Sequence, residues 1–144
     1  MDTVLESALY TRDCIECGSS ADAAVAEVLT GGWHEWNLHG TCRKCESEWY
    51  ECGSGPTPAS IRAAILDVNG PSVLELGAGS VEPVAVMRTL RQVRSLTLSQ
   101  ARTMADELLS VGLRGTLVEM EALARLLHAT GAVATIRSSS TDFC

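Results

Sequence analysis

Two short apolar-rich runs, Val25–Leu29 and Trp33–Leu38, flank Thr30, Gly31 and Gly32. This pattern predicts two strands joined by a Gly-Gly turn. Trp49–Cys52 reads as a third strand, and residues 1–13 as a short lead-in of one strand or helical turn. The stretch Gly53-Ser54-Gly55-Pro56 is a break. Beyond it the spacing becomes helical. Thr57-Pro58 offers an N-cap and a first-turn proline, Ile61, Ala64, Ile65 and Val68 recur on one face, and Gly70-Pro71 stops the run. The helix over 58–69 is expected either to connect two domains or to pack on the second.

From residue 72 the order is strand, helix, helix, strand, helix, strand. Val73–Leu76 is the first strand, followed by a plain turn at Gly77-Ala78-Gly79. That turn lacks the Lys and Ser/Thr of a phosphate-binding loop. The helix over 83–93 carries an apolar face of Val84, Met87, Leu90 and Val93. The helix over 98–111 turns Ala101, Met104, Ala105, Leu108 and Leu109 inward. Gly115–Val118 is a candidate strand, and a helix over 119–130 presents Met120, Leu123, Ala124, Leu126 and Leu127. Gly131 ends it, and Ala132–Ile136 is the last strand. Residues 138–144 form a polar tail expected to be disordered. The domain plan is thus a small ribbon over 1–55, a connecting helix over 56–71, an α+β domain over 72–137 and the tail.

Composition supports folded domains: 46% of the 144 residues are hydrophobic and 20% charged. Charge is uneven. Residues 1–56 hold ten acids against three bases, a net of −7, while residues 57–144 balance eight acids with eight arginines. An acidic N-terminal part repels phosphate backbones and disfavours a nucleic-acid role for it. No apolar run reaches the roughly 20 residues of a membrane helix. The acidic start MDTVLESALY lacks the features of a signal peptide, so the expected location is the cytoplasm.

Six cysteines without an export signal point to metal ligation rather than disulfides. Cys14-x2-Cys17 and Cys42-x2-Cys45 stand 24 residues apart. Two intervening residues let both thiolates of a knuckle face one ion, with backbone amides turned toward the sulfurs. Two knuckles complete a tetrahedron with Zn–S of about 2.3 Å. Gly18 suits the tight turn after the first pair. Four cysteines leave no open coordination position, so the Zn²⁺ would be structural. It would also supply folding free energy to a segment of about 40 residues that lacks a large core. Unpaired core thiols, a redox pair and an iron–sulfur cluster are the other readings of the same residues. Cys52 reads as a small buried apolar residue. His34 and His39 fall on opposite faces of a strand and read as ordinary surface or hydrogen-bonded histidines. Trp33, Trp36 and Trp49 read as the apolar cover of the ribbon, whereas one exposed among acids would instead mark a protein-binding surface. None of His34, His39 and His128 has a nearby Ser or Cys with an orienting acid in an interpretable motif, so the chain reads as non-catalytic.

The segment VLELGAGSVEPVAVMRTLRQVRSLTLSQARTMADELLSV, the helix EALARLLHATGA and the closing strand resemble the C-terminal domain of the ribosomal stalk protein of the bacterial large subunit. The likeness covers 72–137 and centres on VAVMRTLRQV, LTLSQAR and the Ala-Gly before the last strand. It implies a three-stranded antiparallel sheet covered on one face by three helices. It also implies a non-catalytic domain that recruits translational GTPases through its first two helices. By position, Arg88, Arg91, Leu98 and Arg102 would form the partner surface of such a domain. Pro83 stands where the family has a lysine and Gln100 where it has an acid, and the zinc ribbon replaces the family's dimerisation region and hinge. The expected partner is therefore a protein, such as a translational GTPase or ribosome component. Arg88, Arg91, Arg94 and Arg102 also admit an RNA- or DNA-binding regulator of translation or transcription. A further reading is a carrier or leader-type precursor whose tail SSSTDFC is modified.

Overall fold

The computed structural model describes residues 3–77, 82–93 and 95–138. Ala78 and Gly79 of the expected turn, Arg94 of the basic set and residues 139–144 of the tail lie outside the described residues. Among the described residues the chain is mixed α/β, with four helices and two antiparallel sheets, one of four strands and one of three. It divides after Gly70 into two units. No described helix is long and apolar enough to cross a membrane.

The first unit is larger than a small ribbon. It is a meander of β1 (Thr3–Asp13), β2 (Ser20–Thr30), β3 (Trp33–Thr41) and β4 (Glu48–Ser54), paired in chain order. The supposed lead-in is a full strand. TVLESALYTRD pairs with β2 along its whole length, alternating one side chain in and one out. Gly31 and Gly32 turn β2 into β3 at φ of 55° and 91°, the positive values a two-residue hairpin turn demands. The inner face carries Ala8, Val25, Leu38 and Trp49, packed with Ile61, Ala64 and Ile65 of α1 (Ala59–Asn69). This helix is therefore part of the first unit and not a connector. Gly70 closes it at φ 77°.

Thr57 does not cap α1. Pro58 occupies the N-cap position, and no side chain caps the helix. The Thr57 hydroxyl instead donates to Glu27 Oε2 at 2.5 Å, fastening the start of the helix to β2. Glu27 is fully buried, so this donor matters to a carboxylate held away from water. Replacing Thr57→Val keeps the shape and removes the donor. The expected cost is about 1–3 kcal/mol, read by denaturant unfolding followed by tryptophan emission, with Thr57→Ser close to wild type.

The second unit runs β5 (Ser72–Leu76), α2 (Pro83–Val93), α3 (Leu98–Ser110), β6 (Leu113–Gly115), α4 (Leu117–Ala129) and β7 (Ala134–Ser138). Its antiparallel sheet has the order β6-β5-β7. The core joins Leu74, Val86, Leu90, Ala105, Leu108, Met120, Leu123 and Leu127. Three details differ from the sequence reading. The strand expected at Gly115–Val118 lies earlier, because Thr116 and Glu119 form a capping box that starts α4 at Leu117. Ser138 belongs to β7 rather than the tail. Leu109 and Leu126, expected inside, are 41% and 39% exposed.

The largest revision concerns α2. Its sequence carries two apolar stripes, and the core takes Val86, Thr89 and Leu90. Thr89 tolerates burial because its hydroxyl donates to the Ala85 carbonyl at 3.0 Å. Val84, expected inside, is 62% exposed, Met87 is half-buried and Val93 is exposed. An apolar stripe of α2 is thereby left on the outside.

Candidate functional site

The four cysteines sit at the tips of two hairpins. Cys14 and Cys17 lie in the β1–β2 turn, Cys42 and Cys45 in the β3–β4 turn. Because the strands are paired in order, both turns fall at the same end of the sheet. All four sulfurs lie within 4.8 Å of one another, an arrangement that could hold a metal ion. Across the hairpins, Cys14 and Cys45 sulfurs are 3.6 Å apart, and those of Cys17 and Cys42 are 3.7 Å apart. Cys14 and Cys42 are buried and Cys17 and Cys45 exposed.

The two turns repeat one geometry. The Cys14 amide donates to the Ser19 carbonyl at 2.7 Å, and the Cys42 amide to the Ser47 carbonyl at 2.9 Å. The residue after each second cysteine takes a left-handed backbone: Gly18 at φ 75° and Glu46 at φ 62°. Glu46 is the one non-glycine residue at positive φ among those described, and it occupies the place that glycine fills in the first turn. The serines are an addition to the sequence reading. Ser47 Oγ lies 2.9 Å from Cys45 Sγ. The repeated pattern Cys-x2-Cys-x-Ser at 14–19 and 42–47 is the signal in the sequence that could have found them.

The surroundings favour thiolates at the first knuckle. The Cys14 thiol is lowered by the backbone amide of Cys17 and further by that of Glu16, which approaches its sulfur at 3.4 Å. The Ser19 side chain and then its backbone amide bring the Cys17 thiol down to about 6. At Cys42 the Cys45 amide pulls downward, but burial and the neighbouring Cys17 and Cys45 sulfurs leave the thiol raised. Acidic thiols at an electron-rich cluster suit a cation.

The remaining expectations divide. Cys52, expected buried, is exposed on β4 and stands apart from the four-sulfur cluster. The pleat puts it on the outward face, opposite Asn37, because Trp49, Glu51 and Gly53 take the inward one. Trp49 is buried and Trp36 packs on the same core, whereas Trp33 is 62% exposed. His34 and His39 do lie on opposite faces. His39 stacks on Tyr50 with ring centroids 4.4 Å apart. His34 Nε2 lies 3.1 Å from Glu27 Oε2 and 3.2 Å from Thr57 Oγ1. One imidazole nitrogen thus faces both partners while the threonine proton goes to the carboxylate. A histidine that activated Thr57 would need a bare nitrogen at the hydroxyl and its other nitrogen on the acid.

In the second unit, Val84, Met87, Arg88, Arg91 and Gln92 of α2 and Leu98 of α3 line a groove of about 550 Å³. Three of the four residues expected at a partner surface are brought together there. Arg102 is exposed on α3 and does not line it. Val84 and Met87 were missed because their spacing reads equally well as core. Gln100 acts locally and caps α3. Its side chain accepts from the Thr97 amide at 2.9 Å, and its own amide donates to Thr97 Oγ1 at 3.1 Å. Compared with family models, curated proteins and solved structures, the chain matches none.

Proposed function

We propose that this chain is a non-catalytic, zinc-stabilised adaptor whose second unit docks a protein partner in the α2–α3 groove. The observation that carries the docking role is that groove: an apolar floor of Val84, Met87 and Leu98 beside Arg88 and Arg91. Such a surface suits an acidic segment with one apolar face, which pairs its carboxylates with the guanidinium groups while burying its own apolar stripe. The strand and helix order, with the likeness to the stalk-protein domain, supports a translation-associated partner such as a translational GTPase. Pro83 and Gln100 alter two positions of that family's contact surface, so the partner need not be the same.

The sulfur geometry fits one tetrahedral ion, and zinc is the usual occupant of paired Cys-x2-Cys knuckles. A tetrahedron with Zn–S of about 2.3 Å sets its sulfurs about 3.8 Å apart, close to the 3.6 and 3.7 Å observed. In an iron–sulfur cluster the cysteines bind different irons and stand farther apart. Four sulfurs fill the coordination shell, so the ion is structural, and a reducing compartment such as the cytoplasm would keep the thiols free to bind it.

The test is affinity capture with the zinc-loaded full chain and with its Arg88→Glu/Arg91→Glu variant. The expected result is a discrete protein partner, retained through washing and reduced at least tenfold by the charge reversal. Identical partner lists overturn the groove. Salt-dependent RNA binding that the same reversal abolishes replaces the protein partner with a nucleic acid.

A further inference from the structure

The first sheet has two faces, and α1 covers only one. The other presents Leu5, Leu9, Val28, Trp33 and Tyr50 outward. Four of these are well exposed: Leu5 55%, Leu9 74%, Trp33 62% and Tyr50 71%. The register spreads them over the face, with Leu5 directly beside Val28. Leu5, Val28 and Glu35 share one cross-strand row, and Leu9, Ala24, His39 and Tyr50 share another. Ser7, Ala26, Asn37 and Cys52 fill the row between, so every one of the four strands turns at least one large apolar side chain outward, among small and polar ones.

Charge selects what can cover it. The outward strand positions include Asp13, Asp22, Glu35 and Glu48 and no lysine or arginine, although Arg43 of the β3–β4 turn reaches Asp22 at 3.3 Å and His39 lies 3.4 Å from Glu48. Glu48 also holds the exposed Tyr50 hydroxyl at 3.3 Å. An apolar field with acids around it repels phosphate and anionic lipid, and it repels a second copy of itself. It attracts a cationic partner and offers that partner's apolar side a place to bury. The inner face shows what this sheet accepts, since α1 lies there with Ile61, Ala64 and Ile65 against the strands. Four strands span about 14 Å at their usual spacing, wide enough for one helix of about 10 Å.

We infer that the outward face of the β1–β4 sheet is a second docking surface, and that it takes a cationic amphipathic helix from a protein partner. Leucine, valine and aromatic side chains meet the helix's apolar stripe, and Asp13, Asp22, Glu35 and Glu48 pair with its lysines and arginines. The surface lies in the first unit and does not depend on the α2–α3 groove, so either can fail alone.

The probe is a 14-residue leucine–lysine peptide whose leucines fall on one helical face, titrated calorimetrically into the zinc-loaded full chain. A peptide of equal composition with its leucines spread around the helix is the control. One-to-one binding is expected, weakening at least tenfold between 50 and 300 mM salt. Glu35→Lys/Glu48→Lys and Leu5→Ser/Leu9→Ser are each expected to weaken it at least tenfold, while Arg88→Glu/Arg91→Glu leaves it no weaker. Carbodiimide coupling of the peptide's lysines to the wild-type chain should fall on Asp13, Asp22, Glu35 and Glu48. That map decides the matter should a variant lose zinc or its native tryptophan emission. Equal binding of the control peptide, couplings confined to acids of the second unit, or no binding at 200 µM peptide each overturns the inference. So does a concentration-dependent dimer of the wild type that Leu5→Ser/Leu9→Ser dissolves, which would make a second copy the occupant.

Discussion

Stripping the metal with a strong chelator is expected to unfold the first unit while the second stays folded. The magnitudes decide this. Binding of structural zinc by small cysteine-rich peptides is worth roughly 10–16 kcal/mol near neutral pH. The whole stability of a domain is about 5–15 kcal/mol. The first unit has little to set against the loss, for its buried cluster is rich in small residues: Ala8, Ala21, Ala23 and Ala64 beside Val25, Leu38, Trp49, Ile61 and Ile65. Cys14 and Cys42 belong to that same cluster, so an ion held there would close one end of the core as well as join two turns. The second unit has a cysteine-free core of its own. All three tryptophans lie in the first unit, which makes their emission a private signal for it. Chelation should shift that emission to the red and abolish one thermal transition, while helical circular dichroism from α2, α3 and α4 persists with its own melting point. Cys14→Ser or Cys42→Ser should do the same without chelator. Acid should act in the same direction. The Ser19 contacts already lower the Cys17 thiol to about 6, and a bound cation lowers it further, so protons should displace the metal only below that pH. Tryptophan emission and melting that stay unchanged after proven removal of the ion would refute the structural role.

How much of this was legible beforehand follows from which signals were local. The four-cysteine cluster was readable because its spacing is covalent: two residues between cysteines fix a knuckle wherever it is placed. The helix over 58–69 was readable because Pro58 and Gly70 mark its ends, and the helix over 83–93 because Pro83 marks its start. What failed was any judgement that needed a partner in space. The β1 sequence TVLESALYTRD has few large apolar residues, and only its long pairing with β2 makes it a strand. The α2 stripe Val84–Met87 was indistinguishable from core by period alone, and the competing stripe Val86–Leu90 won because it packs with the α3 and α4 helices. Thr57 looked like a cap because the buried acid that takes its proton, Glu27, is thirty residues away in the chain. The candidate docking surfaces are thus what remains when packing has chosen among patterns the sequence leaves equivalent.

Gly40→Ala is expected to destabilise the first unit by about 2 kcal/mol, the middle of the range for overfilling a packed site. The sign is the informative part. Glycine inside a strand ordinarily costs entropy, and alanine there is ordinarily better by about 0.5–1 kcal/mol. The backbone at Gly40 is outside the left-handed region, so nothing in its conformation requires glycine. What requires it is Trp49, its direct partner across β3 and β4, whose indole lies where a Cβ would stand. The neighbouring pair repeats the device in reverse: Trp36 lies over Gly53, and a Cβ there would meet ring atoms at 2.8 to 2.9 Å. Each strand carries Trp-x3-Gly, at 36–40 and 49–53, and antiparallel pairing sets each tryptophan on the other strand's glycine. The two pairs differ in how freely they can yield. Trp49 is 8% exposed and its Nε1 donates to Glu51 Oε2 at 2.9 Å, so moving its ring breaks a hydrogen bond and opens the core next to Val25 and Leu38. Trp36 is only half-buried, so Gly53→Ala should cost less than Gly40→Ala. The control is a cycle of double substitution followed by urea unfolding. With Trp49→Ala already in place, Gly40→Ala should become neutral or stabilising, because the atom it adds then enters space the indole has left. A Gly40→Ala cost that persists in full without the tryptophan would mean that the glycine serves the backbone and not the ring.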